Sequence, residues 1–516
     1  MWKRLSAVLF LSFSTCFLCA QRVLYSPFIS SQPETRFEVI GKAGDYYWIQ
    51  KSRRKINTKM SADPWVNDKG LSLEIYDERM NSVRSIPSSI SANMIKEYFI
   101  AGEQCLDQLL ILSGDQRIIA LLNRYAADGS TIEKVDTVGN FPRRMKCEDF
   151  LLVRSQDKSK ILLLGFEAVP ESPPKMHAFL FDKNWNVITK TVYSNPNISK
   201  PMVQYDMIDY PVEDYSSAPI KVGNDGQWLM TVPSNTNRNY LLVHFRGLDE
   251  SLTCKEIKLP SMAIEETGLY LNNGKQEGSV GILSRVRVSA VKNVRVANYS
   301  LTDCQFVSDT SYSFNTLAAS KVKNENMFEE YFMTVPGKGF LFLKEYGKMF
   351  SSELENEDIT SGDEVAEIKK AGDDPNSRFM NKNDYTRYNN LAGTRNNFDR
   401  GDLTFYYLPA KSNDSCWSGI INKQQVTELG SSYLSYVFLP RRDKLFFLYN
   451  SFYKNRDQYS SATVLDERGN ALNEGVEYWK ISNTLVFQRA RQISENELAI
   501  PYEKNSRNGF AIIRLW

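Results

Sequence analysis

The stretch that most constrains what this chain can fold into is Leu71 to Ser85, LSLEIYDERMNSVRS. Apolar residues alternate through Leu71, Leu73 and Ile75, an aromatic stands at Tyr76, a polar turn runs from Asp77 to Asn81, and a second extended run follows. That period of two reads as strand, tight turn, strand. Related units stand at Ala120 to Val135, Ala178 to Val192, Leu241 to Ile257 and Ala462 to Val476. A lone hairpin buries too little surface to be stable, so the recurrence predicts an all-β architecture whose units pack on one another.

Taking Tyr76, Tyr125, Phe181, Phe245 and Tyr299 as equivalent gives a repeat of roughly 50 to 65 residues, long enough for a four-stranded sheet per unit. The unit recurs at Leu465, and Tyr346 and Tyr406 between them fit one further sheet. The chain ends on three strands, TLVFQRARQI, ELAIPYE and GFAIIRLW, which lack a fourth. Arg22 to Phe28 or Arg36 to Ile40 can supply it, closing a ring and leaving no free sheet end. The expectation is a β-propeller of eight four-stranded blades, with seven as the alternative count. Arg53 to Gly70 reads as a polar connection between two strands of the first unit.

One segment interrupts the repeat. Residues 351–400 are acidic in the first half, with Glu353, Glu355, Glu357, Asp358, Asp363, Glu364 and Glu367, and Asn/Arg-rich in the second. They read as a long loop without strands, an insertion that is either mobile or functional. Its aromatics Tyr385, Tyr388 and Phe398 are candidate contact residues, or cover for the rim of the ring.

Residues 1–20 carry Lys3 and Arg4, an apolar run and a small residue at Ala20, the order of a secretory signal peptide cut after Ala20. An uncleaved anchor and a lipid-bearing Cys16 or Cys19 are the alternatives. The remainder, 21–516, is then one domain, and no later segment is apolar enough to span a bilayer. Loss of Lys3 and Arg4 takes the formal net charge from +2 to zero, which removes any global case for nucleic acid. Cys105, Cys147, Cys254, Cys304 and Cys416 are too few and too scattered for a disulfide framework. The two histidines, His177 and His244, lie in strand-like runs and read as structural, which disfavours histidine-based triads and zinc sites.

Chemistry leaves few marks elsewhere. The runs NDGQW at Asn224 to Trp228 and SNDSCW at Ser412 to Trp417 read as turns that bury a tryptophan. No calcium loop, phosphate-binding loop or nucleophile elbow appears, so no catalytic, cofactor-binding or metal-binding residue is assigned. Basic clusters such as Arg143 to Lys146 and Pro440 to Lys444 read as solvated loop charge.

The hairpins IYDERMN, LFDKNWN and VLDERGN, the leader ending at Ala20-Gln21 and the terminal strand GFAIIRLW resemble those of secreted propeller proteins of the Bacteroidota cell envelope. The resemblance spans nearly the whole mature chain and carries no catalytic residue across. It implies export to the periplasm or outer membrane rather than full secretion. The expected function is a non-enzymatic scaffold for another envelope protein, or a subunit of an outer-membrane assembly. Its docking residues would be Glu353, Glu355, Glu357, Asp358, Asp363, Glu364, Tyr385, Tyr388 and Phe398. The alternative is a propeller that binds or cleaves a glycan, suggested by abundant aromatics and carboxylates.

Overall fold

The structure is a computed structural model. It describes residues 23–514 except 28–34, 57–64, 88–92, 199–218, 235–238, 247–250, 258–261, 287–291, 314–326, 354–393, 411–414, 428–435, 453–457, 473–478 and stretches of one to three residues elsewhere. Eight antiparallel sheets succeed one another around a ring, and the described residues contain no α-helix. Blades 1 to 7 each take four or five consecutive strands, beginning at Thr35, Met94, Phe150, Ile220, Met262, Met327 and Tyr436. First strands of neighbouring blades lie against each other, which places them on the inside of the ring. Eight blades are present, and Tyr346 and Tyr406 fall in the same blade, as the repeat spacing predicts.

Blade 8 is composite. Thr484–Leu485 and Arg491–Ser494 form its broken inner strand, Glu497–Lys504 and Arg507–Arg514 follow, and Val23–Tyr25 from the other end of the chain adds the outermost strand. The register pairs Val23 with Ile513 and Tyr25 with Ala511. Ser26 continues the closure: its N–H donates to the Phe510 carbonyl at 2.9 Å, and its carbonyl accepts the Tyr502 hydroxyl at 2.7 Å.

The core is divided among the seams. Each of eight apolar clusters draws its residues from two adjacent blades, so every sheet is covered on both faces. This explains why many strands lack the alternation of a half-solvated sheet. In Lys160–Glu167, Ile161 and Leu163 pack toward blade 2 while Leu162 and Leu164 pack toward blade 4, all four buried. Tyr76 belongs to the seam between blades 1 and 8, its ring 4.9 Å from that of Phe510. The hairpin Leu71 to Ser85 is therefore the outer half of blade 1.

The polar turn of that hairpin recurs in one geometry. In blade 1, Asp77 accepts the N–H groups of Arg79 and Asn81 and the Asn81 side-chain amide. Asp182 with Asn184 and Asn186, and Asp466 with Arg468 and Asn470, repeat the pattern. The fourth residue adopts a left-handed conformation each time: Met80 at φ 67°, Trp185 at 68°, Gly469 at 80°. Met80 and Trp185 use it to reach the seam with the preceding blade, and the Trp185 indole N–H donates to Asp107 of blade 2 at 2.9 Å. At Gly469 the traffic reverses: Trp417 of blade 6 occupies the space, 2.4 Å from where a β-carbon would stand. Trp228 of the NDGQW turn is buried at 1% exposure, as its sequence predicts.

Arg53 to Gly70 departs from expectation. Strands Tyr46–Ile56 and Trp65–Tyr76 stay paired out to Ile56 and Trp65, so most of that stretch is hairpin rather than connection.

Candidate functional site

A four-stranded meander puts its first and third connections at one end and its second connection, with the link to the next blade, at the other. Applied around the ring, this sorts the connections onto two faces. One face carries short turns such as Ala43 to Tyr46, Ala101 to Cys105, Val222 to Trp228, Asn272 to Glu277 and Val335 to Gly339. The strand ends flanking 195–219, 314–326 and 354–393, the longest connections, all lie on the opposite face. The asymmetry marks the second face as the place where the chain departs most from its repeat.

The largest departure is rooted in blade 6. Gly339–Glu353 and Thr394–Pro409 pair continuously from Gly339 with Pro409 to Glu353 with Thr394, apart from a register shift between Glu345 and Gly347. Trp417–Ile421 covers the first part of this hairpin and Gln425–Thr427 the next, against Phe398 to Arg400. At the register shift lies a fully buried ion pair between Glu345 and Lys423. The Lys423 ammonium also donates to Gln425 Oε1 at 2.8 Å, Gln425 Nε2 donates to the Asn450 carbonyl of blade 7 at 2.6 Å, and Asn450 Nδ2 donates to the Leu485 carbonyl of blade 8 at 2.8 Å. A charge so enclosed is tolerable only when paired and hydrogen-bonded. The network fixes the root of the hairpin to two further blades.

Of the docking residues expected from sequence, Glu353 ends the first strand of this hairpin opposite Thr394, and Phe398 lies on the second opposite Met349. Glu355, Glu357, Asp358, Asp363, Glu364, Tyr385 and Tyr388 lie outside the described residues. The reading of 351–400 as a loop without strands is corrected at both ends, since residues 351–353 and 394–400 are paired strand. Their polar sequences, SSE and TRNNFDR, gave no apolar alternation from which to read a strand. Lys423 and Glu345 were invisible because they are separated by 78 positions and neither sits in a motif.

A second polar constellation sits at the seam of blades 4 and 5, on the turn face. The Gln227 side-chain amide donates to Asp225 at 2.8 Å and to Gln276 Oε1 at 2.8 Å, which turns its oxygen toward His244 Nε2 at 3.1 Å. His244 Nε2–H is then the donor, and Nδ1 presents its lone pair to the Tyr299 hydroxyl at 3.4 Å and the Cys304 thiol at 3.6 Å. His244 is fully buried, and that burial pulls its pKa down to about 4, so the imidazole is neutral. Cys304 and Gln276 both hold left-handed backbones at φ 54°. The arrangement joins two blades, in keeping with a structural histidine. His177 contacts Glu167 at 3.3 Å, and desolvation lowers its pKa. Cys105, Cys254, Cys304 and Cys416 are free thiols, and no group of three or more metal-ligating side chains gathers among the described residues.

No helix among the described residues is long and apolar enough to cross a membrane. No family model matches the chain, and no curated protein matches it. Among solved structures it is similar to the polysaccharide lyase Uly1, at 8% identity over 96% of this chain and 99% of that one, TM-score 0.35. It is similar to the β-propeller domain of the trilobed protease from Pyrococcus furiosus, at 7% identity over 82% and 94%, TM-score 0.33. A third likeness is to the α-L-arabinanase of Penicillium chrysogenum, at 10% identity over 72% and 95%, TM-score 0.30.

Proposed function

We propose that the chain is a non-enzymatic propeller that presents the face bearing its long connections to a protein partner of the cell envelope, after export to the periplasm or the outer membrane. One observation carries this reading: the longest connections depart from strand ends on a single face, and the largest of them is rooted by a buried network reaching into three blades. Binding residues gather on loops held by a rigid scaffold, and a deeply anchored hairpin is such a support. The signal-peptide pattern of residues 1–20 supports export.

The test is to replace 354–393 by a two-residue Asn-Gly turn, leaving both hairpin strands in place, and to compare native pull-downs from envelope fractions. The expected outcome is an unchanged denaturation midpoint with loss of one or more partners. An unchanged partner set overturns the reading. Retention of the intact protein on a glycan array, with release of reducing sugar, would replace it with a carbohydrate-active one.

A further inference from the structure

Glu97 lies on the first strand of blade 2, Met94–Ala101, in the seam with blade 1, at 8% exposure. Its two oxygens accept from amides only: Oε1 from Gln108 Nε2 at 2.5 Å and Oε2 from Gln50 Nε2 of blade 1 at 3.2 Å. Gln108 cannot turn over, because its own oxygen already accepts from Asn123 at 3.0 Å and from the Tyr125 hydroxyl at 2.8 Å. Gln50 can, and its Oε1 is buried without a hydrogen-bond partner.

Among the described residues no cation answers this carboxyl. Lys96, its neighbour in sequence, reaches the other way to the Phe150 carbonyl of blade 3. Arg124 is held by Asp107, and Arg154 donates to the Ala101 carbonyl. Among the described side chains, the titratable groups on Glu97's side of the seam are Tyr125 from its own blade and Glu38, which stands on the inner strand of blade 1 opposite Gln50. Neither supplies positive charge. An ionised carboxylate buried with two amides for company costs several kcal/mol, which the neutral acid avoids. Desolvation accordingly raises the Glu97 pKa.

We propose that Glu97 is a pH-sensitive latch on the seam between blades 1 and 2. As the neutral acid it has a proton to give, and the orphaned Gln50 oxygen accepts it once that amide turns over. Ionisation removes the donor, places an uncompensated charge between two apolar blade faces and loosens the seam. For an acid whose folded pKa lies above its unfolded value, the unfolded chain ionises first. Stability is then fully present at pH below about 4.5 and falls as pH rises through the folded value.

The test compares wild type with Glu97→Gln by infrared spectroscopy and by hydrogen exchange of peptides covering 35–50 and 94–110. In wild type a protonated-carboxyl C=O band fades with rising pH, and seam exchange rises beyond its intrinsic base-catalysed increase. In E97Q that band is missing and the excess exchange is lost. Identical exchange profiles in the two proteins, or an identical band in both, overturn the proposal. Should E97Q fail to fold, Gln50→Leu gives a second reading: loss of the acceptor shifts the band's titration, and an unmoved titration overturns it.

Discussion

The smallest unit of specification here is one aspartate. Asp77, Asp182 and Asp466 each close a turn by accepting three hydrogen bonds, and those bonds hold their pKa values below the usual carboxylate range. In the first two the side chain that shapes the turn also sets the left-handed residue, Met80 or Trp185, that reaches the neighbouring blade, and in the third it sets Gly469, which makes room for Trp417. Asp182→Ala is expected to cost about 1–2 kcal/mol in chemical denaturation. Trp185→Ala, which empties a buried inter-blade site and takes one donor from Asp107, is expected to cost about 3–5 kcal/mol. Equal losses would show that the turn and the staple are not separable.

Histidine 244 belongs to the same scale. Its folded pKa of about 4 lies below the unfolded value of 6.5, so its contribution is fully present above pH 6.5 and is lost as pH falls toward 4. His244→Gln should flatten the acid limb of a stability profile in that window. The aspartate turns contribute a separate loss at lower pH, because depressed carboxylates stabilise above their unfolded pKa and release that stability on protonation. The aspartates and the aromatics were legible in IYDERMN, LFDKNWN and VLDERGN. The staple was not, because a left-handed methionine or tryptophan leaves no mark on a period-two pattern.

Among elements, the blade 6 hairpin is where reading from sequence stopped short. Blade number, composite closure and the outer hairpins all follow from spacing and alternation, since each strand in a seam must satisfy two apolar neighbours. Residues 351–353 and 394–400 are paired strand, but their sequences, SSE and TRNNFDR, carry no apolar alternation, so nothing in their composition announces a strand. The same applies to Arg53 to Gly70 in blade 1. Lys423→Met alone takes the ammonium away from the enclosed Glu345 carboxyl, and is expected to cost about 3–5 kcal/mol. Lys423→Met with Glu345→Leu should recover most of that loss, because an apolar pair avoids the desolvation that the ions bear. A double variant no more stable than the single one would show that the network's worth lies in Gln425 and Asn450 instead.

Across the whole molecule, eight seams of similar construction are held in register by one short strand. Around that closure, Glu497 gathers the Tyr47 hydroxyl at 3.1 Å, Arg514 at 2.9 Å and Lys42 at 3.3 Å, drawing blades 1 and 8 together on the turn face. Leu24→Pro removes a ladder donor opposite Ile512 and is expected to lower the denaturation midpoint and broaden the transition. A transition as sharp as that of wild type would mean that the seam between blades 1 and 8 closes the ring without the strand.

That three-residue closure also sets a clock. Synthesis delivers Val23–Tyr25 long before Arg507–Arg514, so the first strand waits for its place in blade 8 while the seven blades between them form. During that interval blade 1 shows its apolar flank, with Phe37, Val39, Tyr47 and Tyr76, to whatever is nearby. A chain of this design spends its nascent life as an open arc, and its hazard in the cell is sticking to a neighbour before its own last strand arrives.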